Sequence, residues 1–103
     1  MFEELSDATF DARIAEVKAG ACIFYKQLCP HCKNMEKVLE KFSKLQPEAV
    51  LLSVDIEQNP VSAGACGAER APTIIVIRDG KVAGRKAGLM NPREMAQFFD
   101  SCK

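Results

Sequence analysis

The sequence predicts an α/β fold, a central mixed sheet of four to five strands flanked by helices, formed by residues 1–103 as a single domain. Three observations carry this. Apolar, β-favouring runs alternate with helical patterns in the order β-α-β-α-β-α-β-β-α. Ala21–Tyr25 is apolar on successive residues, as a strand covered on both faces must be. Asp79-Gly80, between two strand-like runs, marks an antiparallel hairpin after a pattern whose helical crossovers imply parallel pairing.

Phe2 to Leu5 reads as a short edge strand. Ser6 or Asp7 is placed to cap the next helix, whose stripe is Phe10, Ile14 and Val17 and which Gly20 would end. Ala21–Tyr25 follows as the central strand. A helix then runs to about Leu45, with Met35, Val38, Leu39, Phe42 and Leu45 at three- and four-residue steps and Pro47 at its end. Val50–Ile56 is the next strand, and Glu57-Gln58-Asn59-Pro60 turns into a short helix around Val61–Cys66. Thr73–Ile77 is the most strand-like run, and Lys81–Lys86 returns beside it. Asn91-Pro92 opens the last helix, with Met95, Phe98 and Phe99 facing inward.

Composition narrows the function. Lysine plus arginine and aspartate plus glutamate both number 14, so there is no basic excess to hold nucleic acid or an anionic membrane. No apolar run approaches a membrane span. The acidic start (Glu3, Glu4, Asp7) lacks the basic-then-apolar pattern of a signal peptide, and a cytoplasmic protein is expected. Five cysteines cannot all pair within one chain, so most thiols should be free in a reducing compartment.

Cys29-Pro30-His31-Cys32 is where the chemistry concentrates. Pro30 suits a first helical turn, because its missing N–H would be unpaired there anyway. Cys29 therefore sits at the helix mouth, where unpaired N–H groups and the dipole favour an anion, and the thiolate is the nucleophilic form. Such a pair is redox-active or metal-binding. A tetrahedral zinc site usually needs a second pair, none exists, and His31 is the only histidine, which favours redox chemistry and no metal.

Strand, Cys-x-x-Cys and helix, followed by Arg70-Ala71-Pro72-Thr73, Asp79-Gly80 and Gly88 in that order, resemble the thioredoxin family over nearly the whole chain. The resemblance implies a thioredoxin-like three-layer sandwich and a thiol–disulfide oxidoreductase. It implies a redox-active Cys29–Cys32 disulfide, with Cys29 attacking a substrate disulfide and Cys32 resolving the mixed disulfide. Pro72 matches the family's cis-proline, with the Ala71 backbone pairing to an extended substrate. Gly88 matches the glycine that lets a substrate backbone approach, and Leu28 keeps an apolar rim where the family has an aromatic residue. No cofactor is expected to be bound. Electrons would come from a flavoprotein thioredoxin reductase using a pyridine nucleotide and pass to protein disulfides, with the protein acting as a monomer in electron transport and cell redox homeostasis.

The chain departs from the family in places. Pro30-His31 is similar to the middle dipeptide of the periplasmic disulfide-forming oxidases of the same superfamily. His31 would stabilise the Cys29 thiolate over the disulfide, giving a more oxidising couple than ordinary thioredoxin. The family's buried acid six residues before the first cysteine is Ile23 here, and its neighbouring lysine is Ser53. Another group or water must then take the Cys32 proton; Glu36 lies one turn beyond Cys32, but on a helix surface of mixed charge a solvated residue is the favoured reading. The family's kink proline is Lys37. Cys22 reads as core, Cys66 as packing, and Cys102 as an exposed residue near the terminus.

Three other functions fit in part. Pro-His suggests a net oxidase or isomerase. Cys-Pro-x-Cys suggests a glutaredoxin-like reductase, although a late Gly-Gly glutathione site is not evident. A protein-binding module using the Pro72 groove, with incidental thiols, is the alternative of another class.

Overall fold

A computed structural model describes residues 2–102. The elements are β1 (Glu3–Leu5), α1 (Phe10–Glu16), β2 (Ala19–Tyr25), α2 (Pro30–Leu45), β3 (Val50–Asp55), α3 (Pro60–Ala65), β4 (Thr73–Arg78), β5 (Lys81–Ala87) and α4 (Pro92–Ser101). The strands form one sheet in the order β1-β3-β2-β4-β5. β3 runs parallel to both β1 and β2, whereas β4 is antiparallel to β2 and to β5. The mixed sheet and the central position of β2 are as expected.

Side-chain alternation along β2 divides the core into two layers. Cys22 and Phe24 pack with Phe10 and Ile14 of α1 and Ala63 of α3. Ala21 and Ile23 face Met35, Leu39 and Phe42 of α2 and Met95 and Phe99 of α4. The rings of Phe42 and Phe99 meet edge-on at 5.0 Å and join the two helices. Sheet and helices thus form the three-layer sandwich.

Four local expectations are corrected. Gly20 does not end the first helix, which stops at Glu16; it lies within β2. A β-carbon there would stand 2.7 Å from the Val50 carbonyl oxygen and 3.0 Å from Val17 Cγ1, so close strand packing requires the glycine. Leu45 is 64% exposed, and the buried stripe of α2 ends at Phe42. Cys102 is buried, its sulfur set against Gly84 and the α4 side of the core. The position is near the terminus but tied down by a packed helix.

The fourth correction concerns the first cap. Thr9 is the N-cap of α1, without a side-chain hydrogen bond, and the Ser6 carbonyl accepts from the Thr9 and Phe10 amides at 3.0 and 2.9 Å. Asp7 instead caps α3. Its Oδ1 accepts from the Ser62 amide at 2.8 Å and the Ser62 hydroxyl at 2.7 Å, and its Oδ2 from the Val61 amide at 3.3 Å. Asn59, which precedes α3, turns its own Oδ1 to the Asp7 amide at 2.9 Å. Partial desolvation opposes ionisation of Asp7, but the hydrogen bonds from Ser62 and Val61 prevail and lower its pKa. A carboxyl with a depressed folded pKa stabilises the protein above its unfolded pKa, and this is lost as pH falls through the folded value. Asp7→Ala should therefore unfold at lower urea at neutral pH and lose less stability on acidification than wild type. Parallel acid limbs in urea titrations would remove Asp7 from this role.

Candidate active site

β2 delivers the chain to the site, and the Tyr25 carbonyl at its end accepts from the Ile56 amide at 2.9 Å. The following loop is pinned where Gln27 Nε2 donates to Asp55 Oδ2 at 3.0 Å. Leu28 then adopts φ 55°, a left-handed conformation that costs a non-glycine residue about 1 kcal/mol. Its side chain is 97% exposed and stands as an apolar rim beside Cys29.

Cys29 is the N-cap of α2 and Pro30 its first residue. The Cys29 sulfur accepts from the Cys32 amide at 3.2 Å, in the way a capping oxygen would. A helix N-terminus thus directs a backbone donor at this atom, which favours negative charge on it when the pair is reduced. The two cysteines are joined as a disulfide with Cα atoms 5.2 Å apart. Cys29 is half-buried, whereas Cys32 is 1% exposed, so a partner reaches the pair from the Cys29 side. His31 lies between them in the first turn, exposed.

The Ala71–Pro72 peptide bond is cis. Thr73 pairs with Phe24, so Pro72 stands at the end of the sheet where β2 enters the cysteine loop. The Pro72 carbonyl accepts from the Gly88 amide at 2.9 Å. Ala71, Pro72 and Gly88 line one shallow cleft with Lys26 and Arg70. Gly88 has φ 93°, and no atom lies within 4 Å of where a β-carbon would be, which leaves the approach open. The main-chain groups of Ala71 have no hydrogen-bond partner among the described residues.

A second cleft, of about 310 Å³, runs along α2 from the cysteines. Cys29, Cys32, Lys33 and Glu36 line it together with Tyr25 and Leu28. The Tyr25 hydroxyl donates to Glu4 Oε2 at 2.7 Å; burial and that bond both raise the phenol pKa. Glu36 is half-buried, and desolvation, then the Glu40 charge, raise its pKa against the opposing pull of Lys33. Sequence patterning gave Lys26 no place at the site and favoured a solvated helix face for Glu36. Residues 25–28, before Cys29, line the cleft together with this face of α2, a juxtaposition that only the fold provides.

Ile23 is fully buried and pairs in register with Ser53. The position thus holds no titratable group, as the sequence indicated. Burial pushes the Cys22 thiol well up, with Cys66 and Glu4 adding to it; desolvation and then Asp11 raise Cys66. Both are held as neutral thiols. Among the described residues no group of three or more histidine, cysteine or acidic side chains could hold a metal, and no helix is long and apolar enough to cross a membrane.

The thioredoxin family model matches residues 1–101. The chain is similar to the thioredoxin of Listeria monocytogenes, 29% identical over 103 residues and covering 97% of each chain. It is 28% identical to that of Buchnera aphidicola over 99 residues, covering 94% of this chain and 92% of the other. Its fold is similar to that of reduced desulfothioredoxin from Desulfovibrio vulgaris Hildenborough, with a TM-score of 0.86 and 42% identity. That likeness covers 97% of this chain and 96% of the other.

Proposed function

This chain belongs to the thioredoxin family and is a thiol–disulfide oxidoreductase, and from that premise we propose that it reduces protein disulfides through Cys29 and Cys32. The observation that carries the proposal is the Cys29 sulfur at the N-cap of α2, accepting a backbone N–H. The Cys29 thiolate attacks one sulfur of the substrate disulfide, forming a mixed disulfide and expelling a thiolate that takes a proton. Cys32 then loses its proton and attacks Cys29, closing the Cys29–Cys32 disulfide and releasing the second substrate thiol. The substrate gains two electrons and the protein loses two.

An extended substrate segment would pair with the free main-chain groups of Ala71, beside Pro72 and Gly88, and rest against Leu28. Electrons would return from a flavoprotein thioredoxin reductase using a pyridine nucleotide, with no cofactor resident in this chain. The free thiols Cys22, Cys66 and Cys102 fit a cytoplasmic monomer serving electron transport and redox homeostasis. Insulin reduction coupled to such a reductase is the test. Turnover supports the proposal, and its absence with binding retained would favour a binding module.

Pro30-His31 supports a more oxidising couple and, with it, a second reading as a disulfide oxidase or isomerase. His31 lies in the turn that carries Cys29 toward Cys32, where an imidazole N–H or imidazolium favours the thiolate and so the reduced pair. His31→Pro should lower the reduction potential toward the value of about −270 mV typical of thioredoxin. Titration against glutathione reads this directly. A wild-type potential already at or below that of thioredoxin would remove His31 from the argument.

A further inference from the structure

Closing the Cys29–Cys32 disulfide requires that the Cys32 thiol first lose a proton. Cys32 is 1% exposed, so bulk water does not reach it freely. The sheet beneath it offers no base, because Ile23 and Ser53 stand side by side there. The cleft along α2 does offer one. Its lining holds two carboxyls, Glu36 and Glu40. Glu36 is one helical turn from Cys32, and helical side chains slant back toward the N-terminus, which carries this carboxylate over the turn holding Cys32. Glu40 is a turn further away. Asp55, behind the loop, is already engaged by Gln27 and by the Glu57 and Gln58 amides. The Tyr25 hydroxyl is committed as a donor to Glu4.

We propose that the Glu36 carboxylate, directly or through one water in the cleft, accepts the proton of the Cys32 thiol as Cys32 attacks the mixed disulfide. The inference rests on the reading of Cys32 as the resolving thiol. The proton moves from Cys32 Sγ to a Glu36 oxygen, the new sulfur–sulfur bond forms between Cys32 and Cys29, and the departing substrate thiolate takes a proton from Glu36 or from water. Glu36 has no hydrogen-bond or ion-pair partner among the described residues, so its oxygens are free for this. Desolvation makes it a better base than an exposed glutamate; Glu40 and Glu4 act in the same direction, while Lys33 opposes them. Lys26 and Lys37 line the same cleft.

The two chemical steps separate in a stopped-flow reaction of the reduced protein with dithiobis(nitrobenzoate), in a Cys66→Ser background that removes the half-exposed thiol. Attack by Cys29 releases the first nitrothiobenzoate, and resolution by Cys32 releases the second. Glu36→Gln should leave the first phase unchanged and slow the second by about tenfold or more at neutral pH. The difference should narrow at alkaline pH, where Cys32 ionises without help, and Glu36→Asp should restore part of the rate. A second phase whose rate and pH profile match wild type in Glu36→Gln would overturn the proposal, as would equal slowing of both phases. A wild-type protein that releases only one equivalent fails differently: it refutes the resolving role of Cys32 rather than the choice of Glu36.

Discussion

Cys29→Ser is expected to abolish insulin reduction, by on the order of 10³-fold or more, because the nucleophile itself is lost. The helix mouth stabilises an anion on the capping atom by only about 0.3–2 kcal/mol. That is enough to enrich a thiolate, since a free cysteine thiol titrates at about 8.5, and far too little to ionise a serine hydroxyl. The serine can retain the cap, accepting from the Cys32 amide as the sulfur does, so the fold should survive and the loss should be chemical. Cys32→Ser should behave differently. Cys29 still attacks, nothing resolves, and one substrate chain stays attached as a mixed disulfide whose partner can be identified by mass. Turnover that survives Cys29→Ser would reject the mechanism. The same sulfur should be alkylated at neutral pH faster than Cys66, which lies half-buried with its pKa raised.

Most of the fold was legible because its signals are local. The alternation of strands and helices, the buried run at Ala21–Tyr25 and the Asp79-Gly80 hairpin all appear where periodicity and turn chemistry put them. The features that escaped are non-local. Asp7 has the chemistry of a cap, but the helix it caps begins 53 residues later, at Pro60. Gly20 resembles a helix stop until the Val50 carbonyl is seen against it. Cys102 was expected to be exposed by its nearness to the terminus, yet it lies against Gly84. The site divides along the same line. Cys29, Pro30 and Cys32 form one local motif readable from spacing, and Ala71, Pro72 and Gly88 came from family resemblance. Glu36 is half-buried in a cleft that residues 25–28 line together with α2, and no periodicity encodes that juxtaposition.

Ile23→Asp should lower stability by about 3 kcal/mol or more at neutral pH, from lost apolar burial and from a carboxylate placed in the layer formed with Met35 and Leu39. The pH dependence follows from burial. Desolvation would raise the folded pKa of the new carboxyl above its unfolded value of about 3.9. The folded protein then binds the proton more tightly, so the ionisation part of the penalty is absent below the unfolded pKa. It grows as pH rises and levels off above the folded pKa. Urea denaturation of wild type and variant across that range reads the difference. Ser53 is the register partner of Ile23, so Ser53→Lys in the same chain should recover part of the loss, with the two substitutions failing to add. An equally stable Ile23→Asp at neutral pH would mean that water reaches this layer. In that case an acid beneath the cysteines would carry little cost, and the need for a proton acceptor on the Glu36 side of the helix would disappear with it.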